Sequence, residues 1–141
     1  MPISQNLCVS YKQEILSGIH QDTHEYKIAL FKNTATLSKL TTSYSGLTEE
    51  VSGGGYIEGG NILVGFSTSV IGDIAILDFT SDPEWVDVSF TARGALIYNN
   101  SLVEKNAIAV LDFGADYTCS EGTFSVVLPF PGEATALIRV V

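Results

Sequence analysis

The feature that most constrains this chain is the rhythm with which short apolar stretches alternate with turn residues from Glu25 onward. Tyr26–Phe31 sets bulky residues at alternate positions, and Trp85–Phe90 alternates large apolar residues with polar ones. Alternation of period two marks strands that bury one face. Asn61–Phe66, Ile74–Phe79, Gly94–Tyr98, Ala107–Phe113, Thr123–Leu128 and residues 134–141 read the same way. Turn chemistry separates them: Ser81-Asp82-Pro83, Asn99-Asn100-Ser101, Glu121-Gly122 and Pro131-Gly132. About eight short antiparallel strands predict a mainly β fold, a β-sandwich or jelly roll, in which Asp87 and Ser89 face solvent, opposite Trp85. The 141 residues suit one domain. We divide them into an N-terminal segment with a short helix, residues 1–24, and a sandwich, residues 25–141.

Only the N-terminal segment reads as helical. Ser10 and Gln13 have the spacing of a capping box, and Gly18 stands where a helix would stop. Tyr11, Ile15 and Leu16, with Ile19 just beyond, share one face. So short a helix must dock, either on its own domain or on a neighbouring subunit. Residues 33–46 read as a long loop with a helical turn near Leu37–Leu40. The string Gly53-Gly54-Gly55-Tyr56-Ile57-Glu58-Gly59-Gly60 lacks the following helix that a phosphate-binding loop requires. A kinked strand or bulge is the expected use of these glycines.

Composition excludes more than it proposes. Charged residues make up 16% of the chain, against about 25% in a typical soluble protein, while 14 Ser and 12 Thr supply polarity. The net charge of −9 argues against nucleic acid or an anionic membrane as partner. That charge is uneven, at +1 over residues 1–47 and −10 over residues 48–141. A module that docks through its N-terminal region would carry such an asymmetry. The first residues lack a basic run leading into an apolar one, and no stretch is long enough to span a bilayer, so synthesis in a cytoplasm is expected. Asn99-Asn100-Ser101, formally a glycosylation acceptor, then reads as a turn. Cys8 and Cys119 match no metal or redox spacing, and whether they pair is left open. His20 and His24 follow the helix stop, so they do not share a helix face as a metal site would need. Asp78, Asp87 and Asp112 read as structural carboxylates, and no Gly-x-Ser-x-Gly occurs. We expect no catalytic residue, no cofactor and no metal.

Several strings in order resemble small virion proteins of tailed bacteriophages. They are Gly18-x-His20, Tyr26–Phe31, the Thr-rich loop with Tyr44 and Glu49-Glu50, and Gly54–Gly60. Ala95–Asn99, Leu111–Gly114 and Gly122–Val126 follow. The order is similar to that of the jelly-roll cement or decoration proteins of icosahedral heads. The resemblance implies a non-enzymatic protein of the virion surface that binds the major capsid protein and locks capsomers together. It further implies a homo-oligomer, a dimer before a trimer. Our candidate partner-binding residues are Ile3, Leu7 and Val9 in the N-terminal segment and Leu37, Leu40 and Tyr44 in the loop, because none has an obvious place in the strand pattern. Removal of residues 1–9 is then expected to lower capsid occupancy while leaving the isolated fold intact. The alternative is a receptor- or glycan-binding module of a head or tail fibre, with Trp85, Tyr98 and Tyr117 as an exposed aromatic platform.

Overall fold

The computed structural model describes residues 3–128 and 137–140. The chain is mainly β. In order the elements are β1 (Asn6–Leu7), α1 (Val9–Leu16), β2 (Tyr26–Phe31), β3 (Asn61–Ile62), β4 (Phe66–Ile71), β5 (Ile74–Phe79), β6 (Glu84–Asn99), β7 (Ala107–Ser125) and β8 (Ile138–Val140). A five-stranded sheet runs β1-β7-β6-β2-β3 and a three-stranded sheet β4-β5-β8, with every strand pair antiparallel. The two sheets share one core. Tyr26 of the larger sheet stacks on Phe66 at 5.2 Å and tilts against Phe79 at 5.9 Å. The described strands divide five and three, not into the paired four-stranded sheets of a jelly roll.

β2 lies inside the larger sheet, and Ile28, Ala29, Leu30 and Phe31 are all fully buried. A strand covered on both faces reads as a continuous apolar run rather than an alternating one. β6 and β7 each join two segments that the sequence pattern separates. Gly94 explains the first junction. A Cβ there would lie 2.6 Å from the Leu111 carbonyl oxygen and 2.8 Å from the Ile3 side chain, so this glycine permits close approach instead of a turn. The register shifts between Ala92 and Gly94, where β7 bulges. A second irregularity between Trp85 and Val88 carries Asp87 at φ 55°. It changes the parity of the strand, so that Trp85, Val88 and Phe90 are buried while Val86, Asp87 and Ser89 are exposed. The expected solvent face is therefore reached through a bulge.

The glycine string forms tight turns rather than a bent strand. Tyr56 donates its N–H to Gly53, and Gly60 donates to Ile57. A Cβ on Gly54 would lie 1.7 Å from the Ser89 carbonyl oxygen, and one on Gly60 would lie 1.8 Å from that of Ile28. These residues press the segment directly against β6 and β2. Asn61–Phe66 also differs from expectation: β3 ends at Ile62, Gly65 breaks the run, and β4 starts at Phe66. In β4, Ser67, Thr68 and Ser69 are exposed, so hydroxyls stand on the solvent side of a sheet as they do where charges are scarce. No helix forms at Leu37–Leu40. Of the strand expected over residues 134–141, residues 134–136 and 141 lie outside the described residues.

The N-terminal segment is part of this fold. β1 pairs with β7, Ile3 is buried, and Cys8 is fully enclosed. Helix α1 starts earlier than the Ser10–Gln13 spacing predicts, with Cys8 as its extended N-cap and no side-chain cap. Cys8 donates its N–H to Ile108, and Val9 donates to Lys39. Tertiary backbone partners thus satisfy the first donors at this helix end without a capping box. The helix does end at Gly18. Gly18, at φ 70°, bonds Ile15, and Ile19 bonds Glu14, which is the paired Schellman closure. Tyr11 is buried and Ile15 half-buried, but Leu16 is 87% exposed and lies off the packed face. Removal of residues 1–9 would therefore strip Ile3 and Cys8 from the core, which corrects the expectation that they are dispensable.

Candidate docking surface

The loop from Asn33 to Glu50 is long but tied down. Ile3 bridges Leu37, Ser43 bridges Asn106, and Tyr44 donates its N–H to Lys105. The Tyr44 ring stacks on Tyr98 at 4.4 Å, almost parallel. Its hydroxyl donates to Glu50 Oε1 at 2.6 Å. Glu50 is a hub, because Oε2 also accepts the Tyr56 hydroxyl at 2.6 Å and the Gly59 N–H at 2.8 Å. The Tyr56 hydroxyl in turn accepts the buried Leu30 N–H at 2.9 Å. Desolvation first, and the neighbouring Glu50 carboxylate second, raise the Tyr44 and Tyr56 pKa values well above the usual phenol range. Both tyrosines are therefore fixed donors to that carboxylate.

This anchoring decides where the six candidate partner-binding residues stand. Ile3 and Leu37 are 4% and 1% exposed and belong to the core, because each fills the space where the N-terminal segment meets the loop. Leu7 is half-buried against the core, and Tyr44 is held by Tyr98 and Glu50. Val9 and Leu40 stand at the surface, 47% and 73% exposed. The bond from Val9 N–H to Lys39 carbonyl sets Lys39–Leu40 beside the first turn of α1. Val9, Lys12 and Leu16 recur at the spacing of one helix face. The exposed side chains of Val9, Leu16 and Leu40 therefore share one end of the molecule with those of Lys12 and Lys39. Among the described residues neither lysine is held by a carboxylate. Leu16, Lys12 and Lys39 were absent from our candidates, although the Val9–Lys12–Leu16 spacing was there to be read.

The other sequence candidates are placed as follows. Trp85 and Tyr98 are buried, and only Tyr117 of the three aromatic candidates is exposed. Asn99, itself fully buried, directs its amide nitrogen to Nδ1 of His20 at 3.1 Å and of His24 at 2.8 Å. His20 Nε2 donates to Glu14 at 2.8 Å. The Asn99 amide oxygen accepts the Ser101 N–H, which fixes the amide's orientation. Both Nδ1 lone pairs are therefore occupied as acceptors, and the two rings tie the turn after α1 to the end of β6. Asp78 is buried and accepts the Phe79 and Leu137 N–H groups, while Asp112 accepts that of Gly114. Cys8 and Cys119 are both free thiols. No group of metal-binding residues occurs among the described residues, and none of their helices is long and apolar enough to cross a membrane. Comparison of the chain with protein-family models, curated proteins and solved structures gives no match.

Proposed function

We propose that this chain is a structural protein of a phage virion that binds the outer surface of the assembled capsid and stabilises contacts between capsomers. It contacts the major capsid protein through the patch formed by Val9, Leu16 and Leu40 with Lys12 and Lys39, and it works without catalysis. The observation that carries the reading is this patch: three exposed apolar side chains beside two unpaired lysines in a chain of net charge −9. Such a patch gains by burial, because each apolar side chain removed from water contributes roughly 1.5–3 kcal/mol. The acidic remainder stays toward solvent. A protein that binds only the assembled shell stabilises it by mass action, more so when several copies engage as a homo-oligomer. The virion resemblance of the ordered strings, from Gly18 to Val126, supports the class of partner.

The test is cosedimentation with capsids stripped of this protein. A Leu16→Glu, Leu40→Glu double variant is expected to lose occupancy at least tenfold while its melting curve stays that of the parent. Undiminished occupancy would refute docking through this patch, and absence of the parent protein from the shells would refute the capsid reading itself.

A further inference from the structure

β7 presents a second surface, independent of the patch on α1. Along one edge it pairs with β6 from Ala107 to Ser125, but along the other it meets only β1, at Ala109 and Val110. Just past that contact the Gln5 side-chain oxygen accepts the Asp112 N–H, and the N-terminal segment leaves the strand. Among the described residues no strand accompanies the outer edge of β7 from there to Ser125. An open edge offers a row of backbone donors and acceptors, which proteins commonly blunt with lysine or proline. Residues 117–125 contain neither.

The face beside this edge is concave and apolar. A groove of about 650 Å³ is lined by Leu111, Phe113, Tyr117, Cys119 and Phe124, among others. Its aromatic rings pack on one another, Phe113 edge to face with Tyr117 at 6.4 Å and tilted against Phe124 at 6.2 Å. Tyr117 is 53% exposed. The strands that build the groove are acidic, and Asp112 stands in its lining. Glu84, Asp87, Asp112, Asp116 and Glu121 belong to the β6–β7 ribbon, and Arg93, within 3.7 Å of Asp112 and Asp116, is its single cation.

We propose that this edge receives an extended segment of another polypeptide in which apolar and basic residues alternate. Its backbone continues the sheet beyond β7, its apolar residues enter the groove, and its basic residues, on the other face of the added strand, are drawn to the acidic β6–β7 ribbon. A second copy of this chain would bring the same acidic charge to the edge rather than the opposite one. Antiparallel pairing of two β7 edges about Thr118 and Cys119 sets Asp116 against Glu121 on both sides of the axis, a like-charge opposition that destabilises a strand pair.

Backbone amide exchange on the intact chain tests this, in salt at physiological strength. The probe is a seven-residue peptide alternating valine and lysine, and the control has the same composition with its valines and lysines in blocks. The alternating peptide is expected to slow exchange over residues 117–125 at least tenfold, the block peptide to leave it unchanged, and Tyr117→Lys to abolish the effect. Four results would overturn the proposal: no slowing, equal slowing by both peptides, slowing confined to other segments, or protection that grows with protein concentration alone. The last would assign the edge to self-association.

Discussion

The Glu50 hub allows a sharp test, because its two tyrosines share a carboxylate but differ in what else they hold. Tyr56→Phe removes the hydroxyl that accepts from the Leu30 N–H, and Leu30 is fully buried. The donor left behind loses this acceptor at a fully buried position, which costs roughly 1–3 kcal/mol. The same change deletes one charge-assisted bond to Glu50, for a further contribution of about 1.5 kcal/mol. The carboxylate keeps its bonds from Tyr44 and Gly59. Together the loss is about 3 kcal/mol. Tyr44→Phe deletes a single bond from a half-buried ring and leaves no donor stranded, so about 1 kcal/mol is expected. The assay is urea unfolding followed by tryptophan fluorescence, since Trp85 packs 6.3 Å from Tyr56. In a chain of this size each kcal/mol also shifts the melting temperature by about 3 °C. Equal losses in the two variants, or a greater loss for Tyr44→Phe, would refute the reading of Tyr56 as the bridge between Glu50 and β2.

Three further predictions concern Cys8 and Gly60, both in enclosed positions. Burial, with the Glu14 carboxylate adding to it, pushes the Cys8 thiol up to about 11, so at pH 8 a thiol reagent is expected to modify Cys119 first and Cys8 only as fast as β1 and α1 open; equally rapid labelling of both would refute the packing of β1. The unfolded thiol ionises near 9 while the folded one stays protonated, so this contribution is complete below pH 9 and is lost as pH rises toward 11, which urea midpoints measured across that range would record. Gly60→Ala, at φ 81° with its new Cβ driven into the Ile28 carbonyl oxygen, is expected to cost at least about 3 kcal/mol. Gly46→Ala, at nearly the same φ but with open space around it, is expected to cost about 1 kcal/mol, and equal denaturation midpoints would remove the close-approach argument.

What the sequence revealed depended on whether the deciding contact was local. The strands of β2 and β5 and the Gly18 helix stop were legible, because a short apolar run and a positive φ are properties of neighbouring residues. The start of α1 was not, since its first donors are met by Ile108 and Lys39, far along the chain. The continuity of β6 through Gly94 was not legible, because a missing Cβ signals equally a turn and a close approach, and only Ile3 and β7 distinguish them. β4 carried no apolar alternation to find, being mostly exposed. Of the docking patch, Val9 and Leu40 could be named from their poor fit to the strands. Ile3 and Leu37 fitted them equally poorly, yet they bury each other, and that pairing is invisible along one dimension. Leu16 was misassigned because a helix with Tyr11 and Ile15 inside leaves room for one more apolar residue on either side.

The long β6–β7 ribbon also has a consequence for the order in which the molecule assembles. Its strands are joined directly by residues 100–106, whereas β1 reaches β7 only across most of the chain. Closing a loop of roughly a hundred residues costs about 2 kcal/mol more than closing one of roughly ten. The ribbon is therefore the natural nucleus, and β1 with α1 is the unit that condenses last and opens first. The surface we assign to capsid docking thus rides on the least persistent part of the fold. A shell that captured it would slow the chain's unfolding at its weakest point, so the shell and this chain would each prolong the other's lifetime.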